Sequence, residues 1–167
     1  LIFKKKKKLQ IFYNSLFIIY IFSYCGIFLI FSSIIHLKLT IFILILICVM
    51  SDIGGFVFGK TFKGTKLTKI SPNKTIAGAI GSLVFSITFA ILIYYYLTNS
   101  LDFQILLIAG ITSIGCQVGD LFFSFLKRKS LLNDTGNVLP GHGGILDRVD
   151  GILLGIPVGF FFLILIY

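Results

Sequence analysis

The sequence predicts an all-α, polytopic integral membrane protein with about five transmembrane helices. Of its 167 residues, 57% are hydrophobic, and its mean hydropathy of +1.04 is typical of membrane proteins rather than of soluble globular chains. The apolar residues form long runs, each near the roughly 20 residues that a helix needs to cross the hydrocarbon core. Since a chain in lipid must satisfy its backbone hydrogen bonds internally, these runs are expected to be helices.

The five runs lie at about residues 11–35, 39–59, 75–97, 103–125 and 151–167. The first follows the lysine run Lys4–Lys8 and so imitates a signal peptide. It is too long for one and lacks a convincing small-residue cleavage site, so it is predicted to be a retained span. The second and third flank a lysine-rich loop, the fourth contains a polar stripe, and the fifth is the shortest.

The basic residues predict the orientation of these spans. If the spans alternate, all but one of the 15 basic residues lie on one side of the membrane, the exception being Lys38. The positive-inside rule then predicts a cytoplasmic N-terminus and cytoplasmic active-site loops, at residues 60–74 and 126–150. The net charge of +9 is explained by this topology, so no nucleic-acid partner is predicted.

The polar loops are too short to form a core of their own, which predicts a single membrane domain over residues 1–167. The chain begins with Leu rather than Met, so it is expected to be part of a longer protein. Its cysteines all lie in apolar runs, and neither a disulfide nor a zinc site is predicted.

A polar stripe on the fourth span is the first candidate site. Its members are Ser113, Gln117, Asp120, Ser124 and Lys127, and their spacing of 4, 3, 4 and 3 residues places them on one helix face. Hydrogen bonds to neighbouring helices explain Ser113 and Gln117 equally well. Asp120 favours a functional account, because a carboxylate inside a span costs on the order of 2.5–3.5 kcal/mol and is normally paired, hydrated or bound to a cation.

The polar segment after this span carries the complementary groups. Glycines, including Gly143 and Gly144, let backbone amides approach an anion closely. Asp147 and Asp150 share a face if the fifth helix begins near Gly144, and opposite Asp120 they would bind Mg²⁺ together with phosphate oxygens. The cations that would neutralise further phosphate charge are Lys127, Arg128 and Arg148. The alternative interpretation of the Lys127–Lys129 run is that its charge only sets the orientation of the span in the membrane. His142 is interpreted as a structural hydrogen-bonding residue rather than a base.

The 60–74 loop has a similar character. Asp52 and three glycines lie near the end of the second span, and Ser71 or Thr75 is expected to cap the third helix. Lys74 lies at that helix N-terminus, where the helix dipole disfavours a cation. A bound phosphate would relieve this repulsion, so Lys74 is predicted to bind substrate.

These residues resemble the signature of phosphatidate cytidylyltransferase, also called CDP-diacylglycerol synthase. The matching segments are Ser124-x-Leu-Lys127-Arg128, Asp134-x-Gly136 and Leu139-Pro140-x-His142-Gly143-Gly144-Ile-x-Asp147-Arg148-Val-Asp150. Gly119-Asp120 precedes them, and Lys69-Ile-Ser71-Pro72-x-Lys74-Thr75 with Gly78 resembles a second segment of the family. The resemblance covers residues 52–151, which we expect to be the catalytic region.

Two features depart from the family pattern. Asn133 precedes Asp134 where the family usually has Lys, which removes one cation from the predicted site. The chain is also short, since family members commonly have additional N-terminal spans. Those spans are expected to be missing here, through truncation or genuine minimisation.

The resemblance implies a nucleotidyltransferase that makes CDP-diacylglycerol and pyrophosphate from CTP and phosphatidate with Mg²⁺, for phospholipid biosynthesis. It implies contact with membrane lipid in the bacterial cytoplasmic (inner) membrane, leaves room for a homodimer, and makes Asp120 and Asp147 the metal ligands. The residues that it assigns to catalysis are Asp120, Lys127, Arg128, Asp134, Asp147, Arg148 and Asp150. Those that it assigns to substrate binding are Ser71, Lys74, Ser124, His142, Gly143 and Gly144.

Three alternatives stay open at this point. The nearest is a related CTP-dependent enzyme acting on an isoprenoid lipid, as a cytidylyltransferase or a kinase. A cation transporter would also place aspartates within spans, although it leaves the His-Gly-Gly segment unexplained. The third is an inactive, truncated homologue with a scaffolding role, suggested by Asn133 and by the short N-terminal part.

Overall fold

The computed structural model of this chain describes residues 2–68, 71, 74–129 and 146–166. It consists of five helices, which are α1 (Ile2–Ser32), α2 (Ile35–Phe62), α3 (Ile76–Thr98), α4 (Phe103–Lys129) and α5 (Leu146–Ile166). The described residues contain no strand, and a single isolated bridge joins Lys66 to Thr75. The prediction of an all-α fold is confirmed.

Helices α2 to α5 are each long and apolar enough to cross a membrane, over Leu37–Phe62, Ile76–Thr98, Phe103–Lys129 and Val149–Ile166. The apolar part of α1 that the structure describes, Ser15–Ile30, is shorter. The chain is therefore a multi-pass integral membrane protein.

Helices α4 and α5 extend beyond their predicted spans at the ends that carry the candidate site residues, and both extensions carry charge. Helix α4 continues past residue 125 to Lys129, where the helix dipole favours the three basic side chains of its last turn. Helix α5 begins at Leu146, so Asp147 and Asp150 lie in its first turns, close to the helix start predicted near Gly144. The charged ends of both spans are thus helical rather than loop.

The chain divides into two compact units, Leu1–Ile41 and Phe42–Tyr167. The second unit contains most of α2 together with α3, α4 and α5, and every described residue of the candidate site lies within it. The single membrane domain over residues 1–167 stays a prediction.

Backbone atoms of α2 and α3 meet directly where both helices carry glycine. A Cβ atom added to Gly78 would lie 2.8 Å from the carbonyl oxygen of Gly55, and one added to Gly54 would lie 2.6 Å from that of Gly81. Small residues permit such close approach between helices in lipid, where van der Waals packing stabilises their association. This contact places the C-terminal half of α2 against the start of α3.

Helix α5 has its own glycine row, Gly151, Gly155 and Gly159, spaced one turn apart along one face. A Cβ atom at Gly151 would lie 3.3 Å from the carbonyl oxygen of Cys116 on α4, and one at Gly155 would lie 3.0 Å from the sulfur of Cys48 on α2. The α5 backbone therefore packs against both α4 and α2, and no side chain on this face of α5 separates them.

Side chains of α4 form hydrogen bonds to both α2 and α3 within the second unit. The hydroxyl groups of Ser51 on α2 and Ser113 on α4 lie 2.8 Å apart, and both residues are fully buried. Gln117, one turn further along α4, donates from Nε2 to the carbonyl oxygen of Ala79 on α3 at 3.2 Å. The interpretation of Ser113 and Gln117 as partners of neighbouring helices is confirmed.

Replacing Ser113 with Ala is expected to destabilise the protein, because the buried Ser51 hydroxyl loses its partner. Hydrogen bonds between membrane helices contribute about 0.6 kcal/mol on average, so a small fall in melting temperature in detergent is the expected result. The double variant Ser51→Ala/Ser113→Ala should lose less than the sum of the single losses. Strict additivity of the two losses would show that the bond does not contribute. Thr88→Ala, which removes only an exposed bond to its own helix, is the control.

Candidate active site

The ends of α2, α3 and α4 enclose a cavity of about 220 Å³. Charged, polar and apolar side chains share its wall. The lining residues are Asp52, Gly55, Phe56, Leu67, Lys74, Thr75, Gly78, Ala79, Ser82, Gln117 and Asp120. Two aspartates and one lysine thus line a single cavity between membrane-spanning helices.

Local backbone structure fixes the segment that carries Lys74. Thr75 caps α3, since its hydroxyl oxygen accepts a hydrogen bond from the backbone N–H of Gly78 at 3.1 Å. The Lys74 carbonyl accepts from the N–H of Leu67 at 2.7 Å, and its own N–H donates to the Ser71 carbonyl at 3.1 Å. Of the two caps that the sequence allowed, Thr75 is therefore the one used, while Ser71 contributes its backbone to the turn that holds Lys74.

Lys74 forms an ion pair with Asp120. Its Nζ atom lies 2.5 Å from Asp120 Oδ2, and the two side chains are 30% and 20% exposed. The sequence predicts a phosphate group as the partner of Lys74 and Mg²⁺ as the partner of Asp120. The structure pairs them with each other, 46 residues apart in the chain, and both ligand assignments stay predictions.

Asp52 faces the same cavity from α2. It lies close enough to both Asp120 and Lys74 to interact with them electrostatically. The sequence places Asp52 near the end of its span, and Asp52 is not among the predicted site residues. The available signal was the one that singled out Asp120, since each is a carboxylate within an otherwise apolar span.

A second group of charges joins α4 to α5. The carboxyl groups of Asp120 and Asp150 adjoin each other, and Asp150 Oδ1 also accepts a hydrogen bond from the Gly151 N–H at 3.0 Å. Lys127 Nζ lies 3.7 Å from Asp150 Oδ2, and these side chains are 16% and 13% exposed. The predicted convergence of the α4 stripe with the start of α5 is therefore seen for Asp120, Lys127 and Asp150.

These five side chains form one charged array, in the spatial order Asp52, Lys74, Asp120, Asp150 and Lys127. Their signs alternate along the array except at the junction of Asp120 and Asp150, where two carboxyl groups adjoin. A cation at that junction would make the alternation complete. Mg²⁺ is commonly held by one or two carboxylates together with substrate phosphates, so this donor set fits it.

Other predicted site residues are placed less completely. Ser124 lies on α4 between Asp120 and Lys127, and Arg128 is exposed at the end of that helix. Among the described residues, no group of three or more His, Cys, Asp or Glu side chains is arranged to hold a metal. The backbones of Asp147 and Arg148 lie at the start of α5, while their side chains lie outside the described part of the structure. Also outside it are Asn133, Asp134, His142, Gly143 and Gly144.

Comparison with known proteins adds a finding independent of this geometry. The sequence model of a family described as the cytidylyltransferase family matches residues 1–166. The match therefore extends well beyond the segments that carry the motifs, residues 52–151, and includes α1.

Several curated proteins named phosphatidate cytidylyltransferase are similar to this chain. The one from Rickettsia typhi is 40% identical over 128 residues, which cover 71% of this chain and 56% of that protein. The one from Rickettsia felis is 39% identical over 135 residues, covering 74% and 59%. A third, from Staphylococcus haemolyticus, is 41% identical over 111 residues, covering 65% and 43%. The chain thus spans little more than half the length of the Rickettsia relatives.

Proposed function

The chain belongs to the cytidylyltransferase family, and from this premise we propose that it transfers a cytidylyl group from CTP to phosphatidate, giving CDP-diacylglycerol and pyrophosphate. The names of the similar curated proteins support this activity. The observation that carries it is the charged array at one end of the membrane helices, in which two carboxyl groups adjoin between two lysines.

The reaction makes few demands on acid–base groups. A phosphate oxygen of the lipid attacks the α-phosphorus of CTP, the bond from that phosphorus to the bridging oxygen breaks, and pyrophosphate leaves with the electron pair. Phosphate monoesters are largely ionised near neutral pH, so the attacking oxygen needs no strong base. The protein's contribution is to position two anions and to stabilise the charge that develops on the leaving group.

The lysines of the array suit this task. Lys74 and Lys127 flank the Asp120–Asp150 junction on its two sides in the array, and both side chains are partly shielded from water. Such charge-assisted contacts to phosphate oxygens are about twice as strong as neutral hydrogen bonds. We infer that each lysine exchanges its carboxylate partner for a phosphate oxygen as the substrates bind.

We also propose a Mg²⁺ requirement. Asp120 and Asp150 would hold the ion, with Asp147 of the same helix turn as the further candidate that the sequence predicts. When bound, the ion supplies charge neutralisation and orientation of nucleotide phosphates. The protein contributes two carboxyl groups held in place by helix packing, which spares them the cost of becoming ordered during binding.

The proposed site lies on the cytoplasmic side of the bacterial inner membrane, where CTP is present. The basic residues of the 60–74 loop and of the end of α4 support this side by the positive-inside rule. Phosphatidate would then enter laterally from the inner leaflet. A homodimer stays a prediction.

A labelling experiment tests the activity. The purified chain is incubated with phosphatidate in mixed micelles, Mg²⁺, and CTP labelled at either the α- or the γ-phosphate. Label from the α-phosphate alone is expected in the lipid extract, because cytidylyl transfer retains only that phosphate. Label from the γ-phosphate in lipid would identify a lipid kinase, and absence of both labels would favour an inactive homologue.

A further inference from the structure

We propose that Asp52 is a further positioning residue of this site, which accepts Lys74 as its counter-ion when Asp120 binds a cation. Lys74 then stays inside the cavity, in reach of an anionic substrate, instead of turning out to water. This inference rests on the proposed function, because it assigns a cation to Asp120. It concerns a residue outside the quoted motif segments and, in the part of the chain that the structure describes, outside the Lys74–Asp120 and Lys127–Asp150 ion pairs.

The first observation is the competition for Asp120. The Lys74 ammonium group already contacts Oδ2 of this carboxylate at 2.5 Å, while a Cβ atom at Gly151 would lie 2.7 Å from Oδ1. Lys74 therefore crowds one oxygen of Asp120, and the α5 backbone at Gly151 lies close to the other. A divalent cation bound to Asp120 would repel the ammonium group next to it, so Lys74 needs another partner.

The second observation is the position of Asp52. It lines the same cavity as Lys74 and Asp120 and interacts electrostatically with both of them. Of the aspartates within described spans, Asp52 is the one that lines this cavity together with Asp120. Asp150 lies outside the lining and is paired with Lys127. A lysine has a flexible four-carbon stem, so its ammonium group can turn from one carboxylate of this cavity towards the other.

The third observation is the rigid contact that sets the distance between Asp52 and Lys74. One turn and two turns beyond Asp52, α2 touches the start of α3: a Cβ atom at Gly59 would lie 3.2 Å from Thr75 Oγ1, and Gly55 faces Gly78 through backbone atoms. Thr75 directly follows Lys74 in the chain. The helix contact therefore holds the Asp52 side of the cavity next to the segment that carries Lys74.

The test measures Mn²⁺ binding to the purified full chain in detergent micelles, by the loss of the free-ion EPR signal, without nucleotide or lipid. Four proteins are compared: the unaltered chain, Asp52→Asn, Lys74→Met and the double variant. With Lys74 present, Asp52→Asn is expected to weaken Mn²⁺ binding about tenfold, because the displaced ammonium group has lost its second partner. With Lys74→Met in place, the same change is expected to weaken binding less than about threefold, since only the direct attraction between Asp52 and the ion is removed.

Two further variants separate this role from a general structural one. Asp52→Glu keeps the carboxylate and is expected to restore most of the Mn²⁺ affinity. Asp102→Asn, which changes an aspartate at the far end of α4, is expected to leave the affinity unchanged. Equal losses of Mn²⁺ affinity from Asp52→Asn with and without Lys74, or no loss in either protein, would overturn this inference. Neither result would contradict the proposed transferase function, which the labelling experiment tests separately. If the unaltered chain makes labelled CDP-diacylglycerol but binds no Mn²⁺, the metal assignment and this inference fall together.

Discussion

Replacing Asp120 with Asn is expected to lower CDP-diacylglycerol formation by about 10³-fold, because charge neutralisation at a metal site contributes several kcal/mol to the transition state. Asp120 is the central member of the array, since it contacts Lys74 on one side and adjoins Asp150 on the other. The amide keeps the shape of the side chain but loses its charge. The measurement is turnover of α-labelled CTP with phosphatidate at saturating Mg²⁺.

Asp102 provides a matched control for this substitution. Its Oδ1 atom accepts a hydrogen bond from the Gln104 N–H at 2.9 Å, at the beginning of α4. Asparagine is an equally good residue at a helix N-terminus, so Asp102→Asn should leave turnover unchanged. Near-normal turnover of Asp120→Asn, in protein that inserts into the membrane as the control does, would show that the carboxylate is not needed and that the array is structural.

Replacing Gly151 with Ala is expected to lower turnover by about 10²-fold, the loss that a misplacement of about 1 Å causes in an active site. The added methyl carbon would lie 2.7 Å from Asp120 Oδ1 and 3.3 Å from the Cys116 carbonyl oxygen. The Asp120 carboxylate must therefore move, although no charge has been removed. The assay is the same labelled-CTP measurement, accompanied by thermal unfolding to confirm that the variant folds.

Gly110 on α4 is the control for the methyl group itself. A Cβ atom there would meet a single neighbour, Ile87 Cδ1 at 3.7 Å, which is an ordinary contact. Gly110→Ala should keep full turnover, and its stability should rise slightly because Ala favours the helix. Comparable turnover losses from the two alanine variants would contradict the role given to Gly151, since only one of them crowds Asp120.

The sequence predicted the helices well because run length and hydropathy act locally. Residues along one helix face were also predicted correctly: Asp120 and Lys127 lie on the α4 face that meets α5, as their spacing requires. Such periodicity identifies a face but not the helix that covers it. The hydrogen bond from Gln117 to Ala79 illustrates this limit, because the polar face was predictable and its partner on α3 was not.

The partners of charged residues were the least predictable part of the site. Lys74 was assigned to phosphate because the dipole of α3 disfavours a cation at its start, and that physical argument is sound. The structure satisfies the lysine with a carboxylate from α4, which no local pattern indicates. Asp52 carries the same local signal as Asp120, a carboxylate within an apolar span, but its place in one cavity with Lys74 appears only when α2 and α3 are brought together by their glycines.

The glycine row of α5 has a mechanical consequence for an enzyme that works in lipid. Membranes of different thickness tilt their helices by different amounts. At three successive turns the main chain of α5 meets its neighbours directly, because α5 itself carries no side chain at these positions. Helices in such contact tilt as one body. The distance between the carboxyl groups of Asp120 and Asp150 is therefore expected to stay constant when bilayer thickness changes.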